Sequence, residues 1–218
     1  MKIYAISGLG ADERVFSYLD LDAEIIPVKW IEPKEEENLA SYALRLIADH
    51  PISEEDAIMG VSFGGMLLVE IAKKVKCKYY FSISSIELAS ELPRVYQNLQ
   101  KAGIPKMVPS SFYKIPAFFA PILFGAEHKQ LVKDIVRDTD MNFVHWAVTA
   151  ILGWDNIERI DGLIKISADK DLVLPPKSDD YILIKNSGHH MIIDRAEELS
   201  SILNKFIQTP IEVFKSNN

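Results

Sequence analysis

Six short runs, Lys2–Ser7, Ile25–Val28, Asp56–Val61, Lys78–Ser84, Leu163–Ser167 and Tyr181–Lys185, are largely apolar and show little polar alternation. Successive side chains of a strand point to opposite faces of a sheet, so a strand apolar at every position must be covered on both faces. Segments of helical period separate several of the runs. The segment from about Asn38 to Asp49 puts Leu39, Ala43, Leu46 and Ile47 on one face, and Met66–Lys76 is rich in Leu, Val, Ile and Ala. A last helix is expected from about Asp194 to Gln208, with Asp194 as cap and Glu197 reaching back. The acidic run Glu35-Glu36-Glu37 reads as a solvated first helical turn. Strands alternating with helices predict an α/β fold: a mostly parallel sheet of about six strands with helices on both faces.

At 218 residues the chain suits one domain. The alternation breaks between about Glu87 and Arg159, where helical segments, Pro93, Pro105, Pro109, Pro116 and Pro121 and many aromatic residues intervene. Residues 87–159 are therefore expected to form an insertion over one end of a core made of residues 1–86 and 160–218.

The run Gly60-Val61-Ser62-Phe63-Gly64-Gly65 joins a buried strand directly to a helix. A turn this tight leaves no room for a Cβ two residues before or after the serine, which is why glycine stands there. The turn forces Ser62 into a strained conformation with its hydroxyl above the sheet, at the N-terminus of the following helix. That makes Ser62 the candidate nucleophile.

A serine hydroxyl needs a neighbouring base. Among five histidines, His50 ends an early helix, and His128 and His145 lie in the insertion. Only His189 and His190 follow a late strand, at the sheet edge where ligands collect. His189 is preferred, because Gly188 frees the backbone before it while His190 opens the apolar run Met191-Ile192-Ile193. An acid should hold the imidazole. Asp169 and Asp171 both lie beyond the Leu163–Ser167 strand; Asp171 is preferred as the one further out, and Glu87 is a third option. Charge on a substrate carbonyl needs preplaced donors. The backbone N–H of Phe63 is one, and the N–H of Leu9, in the loop Ser7-Gly8-Leu9-Gly10-Ala11-Asp12, is the second. That loop lacks the third glycine of a dinucleotide site and the Gly-Lys-Ser/Thr of a phosphate loop.

The net charge of −7 disfavours nucleic acid and anionic membranes as partners. No apolar run is long enough to span a bilayer, and the N-terminal run is too short for a signal peptide. The single cysteine, Cys77, forms no internal disulfide and reads as structural. A cytoplasmic protein is the expectation. No metal-ligand spacing is present, and neither metal nor cofactor is expected.

With Ser7-Gly8-Leu9-Gly10, Gly60-Val61-Ser62-Phe63-Gly64-Gly65, Ala168-Asp169-Lys170-Asp171 and Gly188-His189, the chain resembles the α/β-hydrolase superfamily, including the order Ser, Asp, His. The resemblance implies Ser62 as nucleophile, Asp171 as acid, His189 as base, Leu9 and Phe63 as backbone oxyanion donors, and residues 87–159 as a helical cap. Many members carry His-Gly where this chain has Ser7-Gly8, and Gly at Ala168. Of the cap aromatics Phe112, Tyr113, Phe118, Phe119, Phe124, Phe143, Trp146 and Trp154, most should form the cap's own core. Trp146 and Trp154, near His145, are the candidate substrate contacts. The expected activity is cleavage of a carboxyl ester or related acyl bond of a small or medium substrate through an acyl-enzyme. Lyase or acyltransferase chemistry at the same residues, or a non-catalytic binding protein on this scaffold, are the alternatives.

Overall fold

The computed structural model describes residues 1–101 and 140–208. Six strands, β1 (Lys2–Ile6), β2 (Glu24–Pro27), β3 (Ala57–Val61), β4 (Tyr79–Ile83), β5 (Leu163–Ala168) and β6 (Tyr181–Ile184), form one sheet in the order β2-β1-β3-β4-β5-β6. Every pairing is parallel. Each expected run is a strand with ends displaced by no more than one residue.

The absence of polar alternation has a direct cause. Tyr4, Ile6 and Ile58 enter a core on one face, while Ile3, Ala5, Ala57, Met59, Phe81 and Ile83 enter a second core on the other. Helices α1 (Leu39–Leu46), α2 (Phe63–Ala72) and α4 (Met141–Leu152) bury residues in the first core. A 3-10 turn at Glu13–Tyr18 and helices α5 (Met191–Asp194) and α6 (Ala196–Gln208) bury residues in the second. Each fully buried Ile, Leu or Phe contributes about 1.5–3 kcal/mol relative to an exposed one.

Several helix boundaries depart from expectation: α1 ends at Leu46 rather than Asp49, and α2 at Ala72 rather than Lys76. Helix α2 begins at Phe63 rather than Met66, because it starts at the turn itself. The acidic run lies ahead of α1, not in its first turn: Asn38 caps α1 by accepting from Ser41 N–H, and Glu37 pairs with Arg45 at 2.6 Å. The last helix does not start at Asp194 but at Ala196. Asp194 ends the one-turn helix α5, and Arg195, with φ of −130°, separates α5 from α6. Burial of Met191, Ile192 and Ile193 holds α5 as a separate turn.

In 87–159, a 3-10 turn (Ala89–Glu91) and α3 (Arg94–Lys101) follow β4, and α4 precedes β5. Helix α3 packs on α4, and α4 on α1. Phe112, Tyr113, Phe118, Phe119, Phe124, His128 and the prolines 105, 109, 116 and 121 lie outside the described residues. Glu87 ties the two ends of the segment together. Its carboxylate accepts from Ile160 N–H at 2.7 Å, Arg159 at 2.9 Å and Lys165 at 3.3 Å, and its carbonyl accepts from Asn156.

Chain direction creates a crevice. After β1 the chain passes to the 3-10 turn on one face, whereas after β3 it enters α2 on the opposite face. Neighbouring strands whose connections diverge leave an opening at their carboxyl ends, where α/β sheets bind ligands.

Candidate active site

Ser62 stands at that opening, immediately after β3. Close approach of backbone makes the turn. A Cβ on Gly64 would stand 2.4 Å from the carbonyl oxygens of both Ile6 and Ser7, and one on Gly65 would stand 2.4 Å from Ser85 Cβ. Ser62 itself takes φ 53° and ψ −117°, a conformation that costs a non-glycine residue about 1–3 kcal/mol. Hydrogen bonds hold it there. Ser62 N–H donates to Ile83 O at 2.8 Å, and Ser62 O accepts from Gly65 N–H at 2.9 Å and Ser85 Oγ at 2.6 Å.

Loops after β5 and β6 bring the other two side chains to the same rim. His189 Nε2 lies 2.9 Å from Ser62 Oγ, and His189 Nδ1 lies 2.7 Å from Asp171 Oδ2. The other Asp171 oxygen, Oδ1, accepts from Val173 N–H and Leu174 N–H, each at 2.9 Å. The Asp171 side chain is wholly buried, so both of its oxygens are committed. A carboxylate that accepts the Nδ1 proton leaves Nε2 as the acceptor for the serine hydroxyl.

The other candidates sit elsewhere. Asp169 is exposed and accepts only a long 3.4 Å bond from Ser187 N–H among the described residues. The Glu87 carboxylate is held in the ionic cluster with Arg159 and Lys165. Burial, reinforced by His189 beside it, pushes the His190 imidazole down to about 3. His190 is therefore neutral at ordinary pH, its ring edge-on to that of His189 at 6.0 Å. Gly188 has no left-handed φ, and a Cβ there would meet nothing within 4 Å. Its expected role in freeing the backbone is thus absent. Burial, with the Asp171 carboxylate nearby, raises the Tyr96 phenol above its usual value, which sets α3 within electrostatic reach of this site.

The loop after β1 flanks Ser62. A Cβ on Gly8 would lie 3.3 Å from Ser62 Cβ. Ala11 N–H donates to Gly8 O at 3.0 Å, closing a turn in which Gly10 takes φ 72°. Only glycine adopts that φ freely, as the third position of a type II turn requires. The Leu9 N–H donates to nothing among the described residues. The Phe63 N–H, first in α2, has no acceptor within its helix.

Trp154 is 4% exposed, and its indole N–H donates to Glu70 Oε1 at 2.6 Å. This donor is committed to the elbow helix. Trp146 is half-buried; it donates to Glu37 O at 2.8 Å and packs against Tyr42, Phe63 and Phe143. His145 is half-buried on the same helix, α4. Two residues near Ser62 were missed by sequence reasoning, Ser85 and Trp30. The signal for Ser85 was a serine cluster, Ser82-Ile83-Ser84-Ser85, at the end of a buried strand. The signal for Trp30 was an amphipathic ring just after β2, on the same rim as Ser62. Among the described residues no helix is long and apolar enough to cross a membrane, and no cluster of His, Cys, Asp or Glu could hold a metal ion.

No family model matches the chain, and no curated protein matches it by sequence. Solved structures do match by shape. A hydrolase from Oleispira antarctica aligns over 96% of this chain and 91% of its own, with a TM-score of 0.71 at 15% identity. An esterase from Exiguobacterium antarcticum aligns over 96% and 92%, with a TM-score of 0.65 at 17% identity. A thermophilic esterase from Thermogutta terrifontis aligns over 95% and 89%, with a TM-score of 0.62 at 13% identity. At such identities the likeness speaks for architecture, and with the all-parallel six-stranded sheet and the glycine-lined strand-to-helix turn it establishes that this chain has the α/β-hydrolase fold.

Proposed function

We propose that this protein is a serine hydrolase that cleaves a carboxyl ester or related acyl bond of a small or medium substrate through an acyl-enzyme on Ser62. One observation carries the reading: His189 is bonded at both ring nitrogens, to Ser62 on one side and to buried Asp171 on the other. In the first step Ser62 Oγ attacks the acyl carbon while His189 Nε2 takes its proton. Asp171 keeps Nδ1 protonated and stabilises the imidazolium that forms. Negative charge on the carbonyl oxygen meets the N–H groups of Leu9 and Phe63. His189 then gives its proton to the leaving oxygen, and the acyl group stays on Ser62. Water attacks the acyl carbon as the same imidazole takes its proton, and that proton passes to Ser62 Oγ as the Ser62–acyl bond breaks and the acid leaves.

The printed names of the structural neighbours, a hydrolase and two esterases, support the same class of reaction. Residues 87–159 act as a cap in this reading, with α3 and α4 as its described parts and Trp146 as a contact for the acyl or alcohol group. Trp154 serves to anchor the cap to α2.

The test uses p-nitrophenyl esters of increasing acyl length, with a fluorophosphonate probe in parallel. The expected result is ester turnover and probe labelling at Ser62, both lost in Ser62→Ala. Turnover that survives in Ser62→Ala, or folded protein that neither turns over nor labels, rejects the reading. Transfer of the acyl group to an added alcohol in preference to water would instead identify an acyltransferase.

A further inference from the structure

The two N–H groups proposed to receive the oxyanion come from separate segments, the loop after β1 and the start of α2. Neither segment fixes the other by sequence. A pair of donors is useful only if their spacing is held within about 0.5 Å. Something must therefore register the loop against the elbow.

Trp30 touches both. Its indole N–H donates to Ala11 O at 2.8 Å, across 19 residues of sequence. The same carbonyl accepts from Ser7 Oγ at 3.0 Å, so both of its lone pairs are engaged. Ser7 belongs to the loop itself, whereas Trp30 reaches it from the end of β2. The Trp30 ring packs on Phe63 at 5.8 Å between centroids and on Phe143 of α4 at 5.1 Å. Ala11 closes the Gly8–Ala11 turn that carries Leu9. One rigid side chain thus holds the Leu9 loop by its N–H and the Phe63 ring by its face.

We infer that Trp30 is a positioning residue that sets the spacing of the Leu9 and Phe63 N–H groups, and through it the binding of charge that develops on a substrate carbonyl oxygen. Trp30 does not touch the reacting atoms. The catalytic part of this inference rests on the acyl-hydrolase reading above. The tether to Ala11 does not.

The informative variant is Trp30→Phe, which keeps an aromatic face for Phe63 and Phe143 and removes the N–H. Ester turnover is measured per site titrated with fluorophosphonate, so that loss of folded protein does not count. The expected result is a kcat lower by roughly tenfold to a hundredfold, the scale of a misplaced or lost oxyanion donor, with KM changed by less than about threefold. Amide hydrogen exchange supplies a readout that needs no substrate. Exchange at Ala11, whose N–H closes the turn onto Gly8 O, should speed by about fivefold, the worth of one hydrogen bond, while β1 and β3 keep their protection. If the parent protein is active and Trp30→Phe keeps its kcat per titrated site, the inference is wrong. If the parent hydrolyses no ester, the hydrolase reading fails on its own. Exchange then decides the tether: acceleration at Ala11 sustains it, and unaltered exchange there overturns it.

Discussion

A Cβ placed on Gly60 would stand 2.3 Å from the carbonyl oxygen of Gly64, with backbone on both sides of the contact. No rotamer change relieves such a clash, so the turn itself must open. Gly60→Ala and Gly64→Ala are expected to lower stability by about 2–3 kcal/mol or more and to abolish ester turnover, because opening the turn displaces Ser62. Gly188→Ala is the contrast. That position has open space and no left-handed φ, so urea denaturation should find it within about 0.5 kcal/mol of the parent. Equal effects at Gly60 and Gly188 would remove the close-approach argument.

The two aspartates after β5 should separate cleanly. Asp171 is buried against His189 Nδ1, while Asp169 is exposed and makes one long bond. Asp171→Asn keeps the shape but can donate to Nδ1, which favours the wrong imidazole tautomer. A fall in kcat on the order of 10⁴ is expected, against less than about threefold for Asp169→Asn. Steady-state kinetics on a p-nitrophenyl ester decide. A large effect at Asp169 with a small one at Asp171 would reassign the acid.

What sequence could reveal followed from how local the cause was. The strands were legible because burial on both faces leaves a continuous apolar run, and the elbow was legible because backbone contact demands glycine at Gly60 and Gly64. Choosing His189 over His190 was a different matter. The reason offered, freedom at Gly188, is absent from the fold. Ring direction on that loop distinguishes the two, and no residue type announces it. Asp171 is fixed by donors at Val173 and Leu174, a local turn that the spacing could have suggested. Trp30 and Ser85 were missed because their acceptors, Ala11 O and Ser62 O, are backbone atoms distant in sequence. Any residue offers such an acceptor, so sequence carries no mark of it. The helix expected from Asp194 begins instead at Ala196, after the separate turn whose Met191, Ile192 and Ile193 are buried, and that break has no mark in the local spacing.

Trp154 and Glu70 join the segment after α4 to the elbow helix. The Glu70 carboxylate accepts the indole N–H and two 2.9 Å bonds from Lys73, and is nearly buried. Trp154→Ala removes a buried ring and leaves a cavity, for an expected loss of about 3–5 kcal/mol. Trp154→Phe fills most of the space but strips the carboxylate of its indole donor, at about 1–3 kcal/mol. If the link is structural, kcat per titrated site in Trp154→Phe stays within about threefold of the parent. A larger fall, with KM rising, would return Trp154 to substrate contact.

Cys77 tests the burial of the α2–β4 connection. Its thiol donates to Tyr79 O at 3.1 Å, and burial pushes its pKa up to about 11 from an ordinary 9.0. Only the thiolate is alkylated, so at pH 8 the reactive fraction in the folded protein should fall by about a hundredfold relative to the unfolded chain. Iodoacetamide should therefore label native protein far more slowly than urea-unfolded protein; equal rates would contradict the burial. The same shift has a stability consequence of definite sign. A group whose pKa rises on folding contributes stability that is complete below the unfolded value and is lost as pH climbs toward the folded one. Cys77 should thus erode stability between about pH 9 and 11. Tyr42, pushed up to about 12 by burial, continues the loss at higher pH. Cys77→Ala should flatten the first part of that alkaline decline and leave the second, a difference that urea midpoints measured across this pH range will show.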